Sequence, residues 1–254
     1  MQNFVAILAA GKGSRMGLSQ PKQFEMLNGK TILEHSIDTF EKHPLINGIF
    51  VVVHKDFVDS TRRLLHVRNR PKIIEIIAGG EERMNSSYNA ILALENHVGA
   101  NPRVRPTIGT DVGMHVETHN CASLPMDCNL LIHDAARPFV SEDIITRTIN
   151  ALSKHSAVSV AIPATDTVYL CDDKREIQSS PKRDCVYYAQ TPQAARLSVF
   201  KQAFASMNVG AGHAPPVATD DANVILNYLP NEKIHIVLGD PSNRKITFQT
   251  DLIS

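Results

Sequence analysis

The chain has 254 residues, 43% of them hydrophobic and 20% charged, enough for one large α/β domain or two small ones with a sizeable core. Its 26 basic and 26 acidic residues cancel, so no overall field favours nucleic acid or a membrane as partner. Cys121, Cys128, Cys171 and Cys185 lack C-x-x-C spacing, no apolar run approaches the roughly 18 residues of a membrane span, and no signal-peptide pattern is present; a reducing cytoplasm is the expected compartment.

Phe4 to Leu8 is an apolar, β-branched run with the length of a buried strand. It empties into Ala9-Ala10-Gly11-Lys12-Gly13-Ser14-Arg15-Met16-Gly17, followed by Pro21-Lys22-Gln23-Phe24. Small residues let backbone N–H groups approach an anion, and Lys12, Arg15 and Lys22 supply charge, so the loop suits phosphate. A dinucleotide fingerprint would need glycine at Met16, and a Walker A loop would need glycine at Ala6 and Ser or Thr at Gly13. The plainer alternative is a basic surface loop.

Thr31 to His43 carries Ile32, Leu33, Ile37 and Phe40 at helical spacing and is closed by Pro44. Residues 48–53 read as a second buried strand, 56–67 as a helix, 72–77 as a third strand ending in Ala78-Gly79-Gly80, and 83–97 as a helix with Ala90, Ile91, Leu92 and Leu94 on its apolar side. Leu130 to Ile132 is a fourth strand ending in His133-Asp134; Ser141 caps the next helix, and residues 157–162 form a fifth strand. Alternation of this kind predicts a mostly parallel sheet with crossover helices, whose ligands sit beyond the carboxyl ends of the strands, where Gly11, Gly80 and Asp134 fall.

The alternation breaks twice. Residues 99–129 show no periodic element and read as a functional flap or a disordered insert; His115, His119, Cys121 and Cys128 lie there, at spacings that fit no tetrahedral metal template well. Residues 166–188 place the β-prone runs Thr167–Leu170 and Cys185–Tyr188 around a polar segment, which reads as a projecting hairpin arm and a dimer contact, or else as a solvated hairpin. After it, Gln190-Thr191-Pro192-Gln193 reads as a turn, residues 196–207 as a helix, Thr219-Asp220-Asp221 as a capped helix start, 233–238 as a strand, and 245–248 as the start of a final edge strand. The expectation is a single domain over residues 1–254 with an arm.

The first loop resembles the nucleotide-binding loop of sugar- and polyol-phosphate nucleotidyltransferases. Gly79-Gly80-Glu81-Glu82-Arg83 with Ser86, His133-Asp134-Ala135-Ala136-Arg137-Pro138, Asp166-Thr167 with Arg183 and Gln190 to Gln193, and Thr219-Asp220 with Lys245-Ile246-Thr247 extend the resemblance from Phe4 to Asp251. Together they are similar to the 2-C-methyl-D-erythritol 4-phosphate cytidylyltransferase family, whose Rossmann-like domain joins CTP to a polyol phosphate. The resemblance implies that Ala9, Ala10, Gly11, Gly80, Glu81 and Ser86 contact cytosine and ribose, and that Arg15 and Lys22 grip the triphosphate beside Mg2+. Asp134 would sit near the ribose and reacting phosphates, as the candidate protein ligand of an ion held mainly by CTP. Thr167 and Arg183 would reach the neighbouring subunit's acceptor phosphate in a homodimer, and Thr191, Thr219 and Lys245 would complete the acceptor side. Arg15, Lys22, Arg183 and Lys245 are thereby the expected catalytic cations. Plainer roles stand beside these: His133 as a packed strand-end histidine, Arg137 as a brace for the Asp134 turn, Thr219 as a helix cap. The 99–129 segment is longer than the family's usual connection, and the chain stops soon after Asp251, where relatives usually carry a closing helix. Ribitol 5-phosphate is the alternative acceptor, a uridylyl or other sugar-nucleotide enzyme a third reading, and a catalytically dead nucleotide-binding regulator a fourth, which would be expected to lose Arg15, Lys22 or Asp134.

Overall fold

The structure, a computed structural model, describes residues 1–11, 21–66, 69–99, 127–209 and 218–252. The apolar N-terminal run forms β1 (Asn3–Ala9), buried along its whole length. A strand covered on both faces reads as a continuous apolar run and needs helices above and below it. β1 pairs in parallel with β2 (Gly48–Val53), which pairs in parallel with β3 (Ile73–Ala78); on its other side it pairs in parallel with β4 (Asn129–Asp134). With β5 (Ala157–Pro163), β6 (Tyr187–Arg196) and β7 (Ile234–Leu238) the spatial order is β7-β5-β6-β4-β1-β2-β3. β6 runs antiparallel to β4 and β5, and the other pairings are parallel.

The helices are α1 (Ile32–Lys42), α2 (Val58–His66), α3 (Arg83–Gly99), α4 (Glu142–Ala151), α5 (Leu197–Val209) and α6 (Asp221–Tyr228). Strand period two divides them into layers. Val5, Ile7 and Ala9 of β1 pack with Leu33, Ile37 and Phe40 of α1 and Ile144 and Ile145 of α4. Phe4, Ala6 and Leu8 face the opposite way, against Ile91 and Leu94 of α3, Phe200 and Phe204 of α5 and Val224 of α6. α1 opens with a capping box in which Thr31 and Glu34 satisfy each other's backbone N–H, and Ser141 caps α4 as expected, its Oγ accepting from Ile144 N at 3.3 Å.

Several local expectations are corrected. Gln190 to Gln193 is no turn: it lies inside β6, at a break in the ladder with β5 between Ala189 and Gln193, and Tyr187 and Tyr188 pair with Pro163 and Ile162 rather than forming the second strand of an arm. The hairpin that does form is smaller, Leu170–Cys171 against Ile177–Ser179, a two-stranded sheet with no further strand among the described residues, and it leaves Tyr169, Leu170 and Ile177 exposed. Residues 245–248 form no edge strand; the backbone there bonds to Ala136 O through Ile246 N at 2.8 Å. Leu92 faces outward from α3. Of the 99–129 segment, residues 100–126, including His115, His119 and Cys121, lie outside the described residues. Cys128 is a buried free thiol at the foot of β4, where burial and Asp127 push its pKa up to about 11. Among the described residues no group of three or more His, Cys, Asp or Glu is placed to hold a metal, and no helix is long and apolar enough to cross a membrane.

Candidate active site

In the sheet order, β1 is followed in sequence by β2 on one side and by β4 on the other, so the chain reverses direction across the β1/β4 pair. Loops leaving these two strands diverge to opposite faces and open a crevice, the usual ligand site of such sheets. A cleft of about 290 Å3 occupies that place. Ala9, Ala10 and Gly11 at the end of β1, Gly80, Glu81 and Ser86 beyond β3, Asp134 at the end of β4, and Lys22 and Lys245 all line it. Nine of the expected site residues thus meet in one cleft. Arg15 lies outside the described residues.

Close packing explains the glycine pair after β3. A Cβ on Gly79 would lie 2.4 Å from Ala10 Cβ and 2.7 Å from Ser86 Oγ, so Gly79 is where the loops after β1 and β3 touch. Ser86 Oγ accepts from Gly80 N at 3.2 Å and donates to Glu82 O, so its hydroxyl shapes the cleft wall.

The floor is an ion-pair network. Asp134 Oδ1 accepts from Arg83 Nε at 3.3 Å and Nη2 at 3.2 Å, and Oδ2 accepts from Lys245 Nζ at 2.7 Å. The other branch of the guanidinium reaches Asp221 Oδ2 at 2.5 Å. Burial opposes ionisation of Asp134, but Arg83, Lys245 and Arg137 outweigh it and hold the carboxyl far below the usual range. Burial likewise works against the Arg83 charge, and Asp221 and Asp134 overcome it and raise its pKa. Lys22 Nζ donates to Ile246 O at 2.7 Å, joining the first loop to the segment that carries Lys245.

Other expected residues stand apart from the cleft. Thr191 is buried beneath it: Asp134 N donates to Thr191 Oγ1 at 3.1 Å, and that hydroxyl also meets His133 Nδ1 at 3.0 Å. Its hydroxyl thus holds the Asp134 backbone. Thr219 is exposed, and the cap of α6 is its neighbour Asp220, whose Oδ1 accepts from Asn223 N at 2.9 Å. Thr167 and Arg183 are exposed on the stretch around the small hairpin and do not line the cleft of their own chain. The plainer reading of Arg137 holds, since its guanidinium donates to Asn243 O at 2.8 Å and Ala189 O at 3.1 Å.

His133 is fully buried, as a packed strand-end histidine should be. Its Nε2 faces Arg137 O at 3.1 Å and must donate, so Nδ1 accepts from Thr191 and the ring is neutral. Burial lowers its pKa to about 4, against an unfolded value near 6.5. Between these values the unfolded chain binds the proton and the folded one does not, so stability falls as pH falls through that window. About 2 kcal/mol should be lost from this group between pH 7 and pH 5, at roughly 1.4 kcal/mol per unit. Urea unfolding at both pH values should show that His133→Asn removes this part of the slope; an unaltered slope would contradict the assignment.

Sequence reasoning gave no role to Arg83, Gln23, Asp221 or Asn243. Arg83 stood inside a recognised motif, but its partners are 51 and 138 positions away and leave no local signal. Gln23 follows Lys22 and donates to the carbonyls of Ala9 and Gly11, pinning the first loop.

The sequence model of the 2-C-methyl-D-erythritol 4-phosphate cytidylyltransferase family (IspD) matches residues 4–112 and 115–254. The bifunctional ribulose 5-phosphate reductase/CDP-ribitol pyrophosphorylase Bcs1 of Haemophilus influenzae is 36% identical over 252 residues, covering 99% of this chain; the chain spans 47% of that relative. The 2-C-methyl-D-erythritol 4-phosphate cytidylyltransferase of Geobacter metallireducens is 35% identical, covering 100% of this chain and 95% of the relative. Among solved structures, 4-diphosphocytidyl-2C-methyl-D-erythritol synthase of Anaerococcus prevotii superposes with a TM-score of 0.74 at 27% identity, over 99% of this chain and 93% of that one.

Proposed function

The chain belongs to the 2-C-methyl-D-erythritol 4-phosphate cytidylyltransferase family, and from that premise we propose that it joins CTP to 2-C-methyl-D-erythritol 4-phosphate, giving CDP-methylerythritol and pyrophosphate. The observation that carries this reading is the convergence of Lys22, Lys245 and Arg83 on a cleft beside the glycine-containing loop of β1. An acceptor phosphate oxygen attacks the α-phosphorus of CTP in line, and pyrophosphate leaves. A phosphate monoester is already largely ionised near neutral pH, so the task is to align two anions and neutralise developing charge. Ala9 to Gly11, Gly80, Glu81 and Ser86 form the nucleotide wall in this reading. Arg15 and Lys22 serve the triphosphate, and Lys245 the acceptor side.

Mg2+ fits as an ion carried by the triphosphate. Asp134 lines the cleft, and a carboxylate offers about four acceptor positions, more than its bonds to Arg83 and Lys245 use. When bound, the ion neutralises phosphate charge. Thr167 and Arg183 act in trans in a homodimer formed through the exposed hairpin, which accounts for their distance from the cleft of their own chain. Sedimentation of wild type should give a dimer, and a fully active monomer would refute the arm in trans. The exposed free thiols Cys171 and Cys185 accord with a reducing cytoplasm.

Ribitol 5-phosphate is the second acceptor considered, favoured by the 36% identity to the Haemophilus CDP-ribitol enzyme. Pyrophosphate release from CTP should be measured with each polyol phosphate, with and without EDTA. Turnover with methylerythritol phosphate that EDTA abolishes is expected. Preference for ribitol phosphate would move the protein to the second reading, and CTP binding without turnover would make it a regulator.

A further inference from the structure

Lys245 lies on residues 239–248, a segment with no strand or helix, yet its ammonium is held 2.7 Å from Asp134. Segments of this kind are ordinarily the mobile part of a fold, whereas a charge used in electrostatic catalysis must be in place before the reaction. The anchor stands two residues earlier. Asn243 is fully buried, and its Nδ2 donates to Thr191 O at 2.9 Å and to Gln190 Oε1 at 3.2 Å, both in β6. Its own backbone is held as well: the N–H donates to Asp240 O at 3.0 Å and the carbonyl accepts from Arg137 at 2.8 Å.

Gln190 completes the seat. It is 4% exposed, donates through Nε2 to Asp240 O at 2.8 Å, and lies so close beneath Gly239 that a Cβ there would stand 2.3 Å from its Oε1. Buried amides are costly unless bonded, and an inner strand chosen for packing alone would carry apolar side chains here. β6 instead buries Gln190, Thr191 and Gln193, each bonded to a different segment around the cleft.

We propose that Asn243, seated on Gln190 and Thr191 of β6, is the positioning residue for Lys245. It acts on cytidylyl transfer through the placement of that ammonium and touches no substrate. The inference rests on the proposed function, in which Lys245 serves the acceptor side. A double-mutant cycle isolates action through another residue. Asn243→Ala should lower kcat about 10- to 100-fold, as a misplacement of about 1 Å does, with KM for CTP little changed. Lys245→Ala should cost about 100-fold or more. The double variant should be no slower than Lys245→Ala alone. Wild-type kcat in Asn243→Ala, or the same fold-loss repeated in the Lys245→Ala background, would overturn the proposal. Should Asn243→Ala not fold, Gln190→Met, which keeps volume and deletes the amide, takes its place in the cycle.

A second readout is independent of turnover. The rate of acetylation of Lys245 by a soluble acylating reagent, followed by mass spectrometry, should rise several-fold in either variant, while exposed Lys174 labels at an unchanged rate. If wild type releases no pyrophosphate with either acceptor, the proposed function fails and this labelling still decides: faster labelling of Lys245 supports its positioning by Asn243, and an unchanged rate refutes it.

Discussion

Arg83→Ala is expected to lower unfolding free energy by about 3–5 kcal/mol, the range found when one partner of a buried ion pair is removed. Arg83 is the shared counter-charge of two carboxylates that cannot otherwise stay buried. Asp221 is fully buried and meets the guanidinium at 2.5 Å, and Asp134 meets its other edge at 3.2 Å. Lys245 would still neutralise Asp134, but among the described residues Arg83 is the one cation bonded to Asp221. Burial already pushes the Asp221 carboxyl up against the pull of Arg83. Without Arg83 it would rise further and take up a proton on folding. A carboxyl whose folded pKa lies above its unfolded one destabilises once the unfolded chain has ionised, so the deficit of Arg83→Ala should shrink as pH falls toward 4. Denaturant unfolding of wild type and variant at pH 7.5 and pH 5 tests both the size and the sign. The double variant Arg83→Met with Asp221→Leu should recover much of the loss, because replacing a buried pair by apolar groups is often neutral. A deficit below about 1 kcal/mol, or one that grows in acid, would show that Asp221 is not held by this arginine.

The parts of this fold that could be read in the sequence are those with a local cause. β1 is a continuous apolar run because both faces are covered, α1 announces itself by the helical spacing of Ile32, Leu33, Ile37 and Phe40, and α4 by its cap Ser141. The cleft was legible for a topological reason: Gly11, Gly80 and Asp134 all follow parallel strands, and such strand ends converge wherever the chain reverses across the sheet. β6 was not legible. Gln190-Thr191-Pro192-Gln193 is polar and holds a proline, both marks of a turn, and proline is excluded from a central ladder. The structure reconciles them, because the ladder with β5 is broken between Ala189 and Gln193 and the polar side chains are spent on cleft segments. The same non-local pairing hid Arg83 and Asn243, whose partners come together only after the sheet has formed. Thr167 and Arg183 were recognised by resemblance, and a single chain leaves them in solvent, away from its own cleft.

Lys22→Ala should lower kcat for pyrophosphate release by about 100- to 1,000-fold, the usual effect of deleting one preorganised stabiliser of transition-state charge, while leaving stability within about 1 kcal/mol. The side chain is partly exposed and donates to Ile246 O, a bond to a backbone carbonyl worth about 1 kcal/mol. Its backbone is fixed on the C-terminal side by two neighbours. Gln23 is buried against the carbonyls of Ala9 and Gly11, and Phe24 stacks on Phe57 with ring centroids 5.1 Å apart. A short helical turn over Lys22–Phe24 joins these contacts. The ammonium is therefore presented to the cleft by a rigid base and needs little reorganisation when charge develops, which is the condition for a large electrostatic effect. Lys22→Arg keeps the charge but cannot reproduce a compact ammonium on the same stem, so recovery should be partial. Steady-state kinetics beside denaturant unfolding checks the two halves together. A loss under about threefold with the fold intact would remove Lys22 from the reaction, whereas a large kcat loss with unchanged stability would assign its charge to the transition state.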